Sequence, residues 1–166
     1  MKSLLLTLVL MVAITAVFAK GPISEGQAQL NLGLGFSSWG VPVYAGLDFG
    51  LSRDVSLGAE VSYRSYREDY HNHKYDHSVT GISGNVNYHF NHILSIPEDW
   101  DFYAGVNVGY YIVQKQDDYP GDYNSGLGLA GQVGARYYFT NSVGVNVEFG
   151  GGNAFSGGKL GLSIKL

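Results

Sequence analysis

The chain has 166 residues, no cysteine and a formal net charge of −4. That acidic balance argues against a nucleic-acid partner, and the missing cysteines exclude a disulfide scaffold. Charged residues make up only 14% and glycines number 24, against roughly 25% charge and ~7% glycine in ordinary soluble domains.

The first stretch, MKSLLLTLVLMVAITAVFA (1–19), carries Lys2, an apolar run from Leu4 to Phe18, and Val17 and Ala19 before a cut. That is the pattern of a cleavable secretory signal, and the run is too short for the ~20 residues of a spanning helix. Residues 20–26 follow as a short N-terminal segment. Residues 27–166 read as one domain.

Within that domain the apolar residues alternate with a period of two, the signature of strands with unlike faces. In QLNLGLGF the apolar set is Leu30, Leu32, Leu34 and Phe36. Next come Val43, Ala45, Leu47, Phe49 and Leu51, then Val55, Leu57, Ala59, Val61 and Tyr63. Ile82, Val86, Tyr88 and Phe90 form a fourth set, and Phe102, Ala104, Val106, Val108, Tyr110 and Ile112 a fifth. The last three are Leu127, Leu129, Val133, Ala135, Tyr137 and Phe139; Val143, Val145, Val147 and Phe149; and Leu160, Leu162, Ile164 and Leu166. That makes eight strands.

The connections alternate in length. Segments 52–54 and 140–142 are tight turns, whereas 37–42, 66–78, 115–125 and 151–158 are longer loops. Short turns alternating with long loops are the pattern of an up-and-down transmembrane β-barrel, with both termini on the periplasmic side. The connection 91–99, with Pro97, is too long for its place in that scheme.

The polar face decides which side is wet. Its charges are Asp48, Glu60 and Glu148 against Arg64, Arg136 and Lys165, among serines, asparagines and glycines. Three acids balancing three bases suit a small closed interior, where charges must pair. The apolar face carries no charge and so fits lipid, where Arg or Lys at the midplane costs ~2–4 kcal/mol. Its aromatics gather at two levels. Phe49, Tyr88, Phe90, Phe102, Tyr137 and Phe139 lie toward the short turns, and Phe36, Tyr63, Tyr110 and Phe149 toward the long loops. Two aromatic girdles are expected at two lipid–water interfaces. The rival reading is a soluble lipocalin-like ligand carrier with the apolar face inside; it would need more charge on its outer face.

The signal, the eight amphipathic strands, the inward glycines and the terminal KLGLSIKL resemble the small outer-membrane β-barrel proteins of Gram-negative bacteria, the OmpX-like proteins and the OmpA transmembrane domain among them. The resemblance covers 27–166 and implies an all-β eight-stranded antiparallel barrel. It also implies partnership with outer-membrane lipid and lipopolysaccharide and with the barrel-insertion machinery. The family's final strand usually ends in an aromatic, and here it ends in Leu166.

Chemistry is sparse. His71, His73, Asp76 and His77 have metal-ligand groups, but they sit at a loop tip without fixed geometry. No metal or cofactor is expected. Lipid A hydrolases and transferases of this architecture resemble enzymes using Ser and His near the outer rim, and the deacylase type would show His-x-Ser. This chain has none; His77 and Ser78 are adjacent and so point to opposite faces, and His89 and His92 lie by the short turns. No enzyme is expected. The six interior charges suit a stabilising network, or, in a rival reading, the gate of a narrow ion channel. The loops 66–78 and 115–125, rich in tyrosine and acids, suit contacts with an extracellular protein or glycan.

Overall fold

The computed structural model describes residues 21–37, 40–70, 73–114, 125–153 and 156–166, the side chains of 66–70 and 73–76 excepted. The signal expected at 1–19 and the start of the 20–26 segment lie outside these residues. Eight strands run β1 (Ala28–Ser37), β2 (Val43–Gly50), β3 (Val55–Tyr70), β4 (His73–His89), β5 (Trp100–Gln114), β6 (Gly126–Tyr138), β7 (Val143–Gly152) and β8 (Ser156–Lys165). Each pairs antiparallel with the next, and β8 pairs back on β1, Asn31 opposite Ser163, to close a barrel. Closure leaves no strand edge, the condition for a sheet to sit in lipid.

The alternation sorts the side chains as the period of two demands. Leu32, Leu57, Ile82, Val106, Leu129, Val147 and Leu162 are exposed on the outside. Asn31, Asp48, Ser56, Asn85, Gln132, Arg136, Asn146 and Ser163 are buried inside. A soluble protein has the reverse arrangement, and no soluble carrier reading survives it.

Part of the tyrosine and of the glycine content has one cause. Four inward tyrosines each stand opposite a glycine on the neighbouring strand: Tyr44 opposite Gly33, Tyr103 opposite Gly134, Tyr111 opposite Gly81 and Tyr138 opposite Gly144. The rings lie across the space a Cβ would take. At Gly134 an added Cβ would meet the Tyr103 ring at 2.3 Å. The glycine makes room, and the ring covers the bare backbone. Gly134→Ala will therefore cost about 1–3 kcal/mol through overpacking, read as a lower urea midpoint in micelles. Gly131→Ala, on the outer face with nothing within 4 Å of the new carbon, will be near neutral.

One expected loop is mostly strand. Segment 66–78 continues the β3–β4 ladder, with Tyr66 opposite His77, Arg67 opposite Asp76 and Tyr70 opposite His73. β2 ends opposite Tyr63 and β5 ends opposite Ser78. Tyr66–Tyr70 with its partner strand therefore runs beyond the described ends of both neighbours, by about 16 Å of strand at ~3.3 Å per residue. Likewise β7 and β8 take up most of the expected loop 151–158. The turns 51–54, 90–99 and 139–142 lie at the end where β1 begins and β8 ends, called the terminal end. The β3–β4 hairpin marks the far end.

Candidate functional site: the polar lumen

Residues 21–27 fold beneath the terminal end. Gly26 N donates to Gly50 O at 2.9 Å and Gly50 N to Gln27 O at 3.0 Å. Ile23 is 1% exposed, so this segment stoppers the barrel. Above it, Lys165 Nζ donates to Gly21 O, and its ammonium sits 4.1 Å from the centre of the Tyr138 ring.

The next layer is an ion network. Arg136 reaches from β6 across the lumen, with Nη2 2.8 Å from Asp48 Oδ2 on β2 and Nη1 3.0 Å from Asp101 Oδ2 on β5. Its guanidinium lies 4.2 Å from the Tyr103 ring centre. All three charged groups are at least 95% removed from solvent at the side chain. Asp48 also accepts from Asn31 Nδ2 at 2.9 Å, and Asn31 accepts from Ser163 Oγ at 2.7 Å.

Asp101 has a second partner. His89 Nδ1 lies 2.7 Å from Asp101 Oδ1, and His89 Nε2 lies 2.9 Å from Ser56 Oγ. The order serine, imidazole, carboxylate is that of a nucleophilic relay. A relay also needs a place for the reacting atom and donors for its oxyanion. Here Ser56 and Asp101 are 0% exposed and His89 1%, and none of the three lines a described cavity. The arrangement satisfies buried polar atoms.

A second network stands toward the far end. Lys159 Nζ on β8 is 2.9 Å from Glu60 Oε2 on β3 and 3.0 Å from Glu148 Oε1 on β7. Tyr103 joins the two layers, donating its hydroxyl to Glu148 Oε2 at 3.0 Å while its ring faces Arg136. Between the layers the lumen opens into a space of about 20 Å³; above Lys159 it opens into one of about 30 Å³ reaching Arg64 and Tyr111. Each holds a few waters at most.

Of the six charges expected to act together, Asp48 and Arg136 fall in one layer and Glu60 and Glu148 in the other. Arg64 stands apart toward the far end, with Nη1 donating to Ser37 Oγ at 3.2 Å, and Lys165 stands apart at the terminal end. Glu60 and Arg64 share a strand face, yet the partner of Glu60 is Lys159. Sequence reasoning missed Lys159 and Asp101. Parity would have found Lys159, two places before Gly161 and on the same face as Ser163 and Lys165. Asp101 hides beside the 91–99 connection, where it reads as part of a polar turn.

Phe36, Phe49, Tyr63, Tyr88, Phe102, Tyr110, Tyr137, Phe139 and Phe149 stand outside at 39–62% exposure, and Phe90 is half-buried. Trp100 was missed; it is 40% exposed, its ring 5.6 Å from Phe102 and 4.8 Å from Tyr137. His71 and the side chains of His73 and Asp76 lie outside the described residues. His77 shares the inward face of β4 with Val79 and is 1% exposed. No group of three metal-ligating residues occurs among the described residues.

The family model for the outer membrane protein beta-barrel domain matches residues 5–164. The chain belongs to that family. This outer-membrane β-barrel shares its fold with OprG of Pseudomonas aeruginosa (TM-score 0.62, 10% identity, 86% of this chain and 97% of that one). The N-terminal barrel of Pseudomonas aeruginosa OprF superposes with a TM-score of 0.59 at 14% identity, over 87% of this chain and all of that one. Yersinia pestis Ail in a bilayer nanodisc gives 0.56 at 11% identity, over 86% of this chain and all of that one. No curated protein sequence matches the barrel. At these identities the likeness is one of fold.

Proposed function

We propose that this outer-membrane barrel is a non-conducting, non-catalytic scaffold that binds at the cell surface through the β3–β4 hairpin and the 115–125 segment. The observation that carries the reading is the pairing of Tyr66–Tyr70 with His73–His77 beyond the described ends of β2 and β5. Lipid does not require strand of that length. A ladder this long holds its tip away from the membrane without the entropy cost of ordering a loose loop. In this reading the termini face the periplasm and the hairpin faces outward.

The lumen supports the rest. Two ion networks and the 21–27 stopper leave spaces for a few waters, too little for a hydrated ion to pass. The Ser56–His89–Asp101 set is sealed. A fluorophosphonate will therefore leave Ser56 unlabelled in the folded barrel; labelling at Ser56 would restore the enzyme reading.

Charge narrows the partner. Segments 66–78 and 115–125 hold Arg67, Lys74 and Lys115 against Glu68, Asp69, Asp76, Asp117, Asp118 and Asp122. Ail has been seen in complex with sucrose octasulfate, a heparin analogue. The acid excess here disfavours a polysulfated ligand and suits a basic protein surface or a neutral glycan. Replacing residues 66–77 by a two-residue turn tests the assignment. The variant will keep the faster unboiled migration of a folded barrel on SDS gels and will lose adhesion of expressing cells to host-cell or matrix surfaces. Adhesion that survives the replacement moves the function elsewhere.

A further inference from the structure

The β4–β5 connection is too long for a simple turn, and its apolar residues have a use. It forms one helical turn: Leu94 N donates to Phe90 O at 3.0 Å, Ile96 N to Asn91 O at 2.9 Å, and Ser95 N to His92 O at 3.3 Å. Ser95 ends the turn in the left-handed region, with φ of 51°. The Asn91 side chain ties the turn to β5, donating to Trp100 O and accepting from Phe102 N. Trp100 N donates to Pro97 O. The turn is a built element.

Its two sides differ. Asn91, His92, Ile96 and Glu98 face a cavity of about 530 Å³ beneath the barrel, shared with Gly21–Glu25 and with Arg53 and Asp54. Ile93 and Leu94 do not line it. They are 66% and 64% exposed, more than lipid-facing Leu57 at 45%. In a helical turn, residues three and four apart share a side, so Ile93 and Leu94 stand on the side of Phe90. Phe90 packs edge-on against Tyr88 at 5.3 Å, in the aromatic girdle of the terminal end. The apolar pair thus continues the lipid-facing surface below that girdle. The other two turns at this end each open on one exposed apolar residue, Leu51 and Phe139, and are polar at their tips, Ser52–Asp54 and Thr140–Ser142, whereas the 90–99 turn carries its apolar pair at the tip.

We propose that Ile93 and Leu94 are a membrane anchor, a wedge seated in the headgroup–acyl boundary of the leaflet at the terminal end. The polar side of the same turn faces water and the stopper segment. A wedge that reaches below the rim on one side sets how deep, and at what tilt, the barrel rides in its bilayer.

The absence of cysteine makes the test clean. Single variants Leu94→Cys, Leu57→Cys and Arg53→Cys are spin-labelled, refolded into phosphatidylcholine vesicles and checked for heat-modifiable migration. Collision rates with oxygen, which partitions into lipid, and with a water-soluble nickel chelate are then compared. The wedge requires the label at 94 to favour oxygen over nickel as the label at 57 does, several-fold more than the label at 53. A label at 94 as open to nickel as the one at 53 overturns the anchor. So does a label shielded from both reagents, which would mean that protein, not lipid, covers the pair.

Discussion

Replacing Arg136 by methionine will lower the unfolding free energy of the barrel by about 3–5 kcal/mol, the cost of breaking a buried pair from one side. The guanidinium stands between Asp48 and Asp101, and both carboxylates stay buried when it is gone. Methionine fills part of the volume but donates nothing. The loss spreads through Asp101 to His89 and Ser56, which share its hydrogen bonds. Urea titration in micelles, followed by tryptophan fluorescence, measures the effect. The triple change D48N/D101N/R136M should recover most of it, because a neutral set no longer carries uncompensated charge. A variant R136M as stable as the parent would mean that water reaches these groups.

Lys159→Met acts on the other layer, with an expected loss of about 3 kcal/mol, at the lower end of the same range. Its ammonium is slightly more exposed, with 11% of its side chain open to solvent. Without it Glu60 and Glu148 face each other across the lumen, and Tyr103 keeps its bond to one of them. The same titration reads the loss. Adding Glu60→Gln and Glu148→Gln together should restore the parent midpoint to within about 1 kcal/mol, since a buried ion set often does no better than a neutral one. The triple variant would also keep the bilayer free of conductance steps if packing, and not charge, closes the lumen. Steps appearing in K159M alone would make this layer a gate.

The alternation of apolar and polar residues made the transmembrane parts of all eight strands legible. It did so because lipid and lumen impose opposite demands on successive residues. The rule stops where the membrane stops. In 66–78 Tyr, Arg, Asp and His follow without a period of two, so a paired hairpin reads as a loop. The ion partners were hidden for another reason. Glu60, Glu148 and Lys159 come from three strands, and their common height depends on the register of every pairing between them. A single-strand pattern shows which face a charge is on, never its level. Trp100 was overlooked because it follows Pro97, Glu98 and Asp99 and reads as the end of a polar turn.

The seam between β1 and β8 joins residues from opposite ends of the chain. Asn31 lies beside Ser163, and Leu166 N donates to Ala28 O at 2.9 Å. All other neighbouring strands are consecutive and form hairpins. The one contact that makes the sheet a barrel is therefore the one of greatest sequence separation, with the highest loop-closure cost. Until it forms, two bare edges must be kept out of hydrocarbon. Assembly is then a search for a single late contact, and its rate will depend on the last strand: shortening the chain by a few residues at Leu166 will slow membrane insertion far more than an equal deletion at the tip of the hairpin.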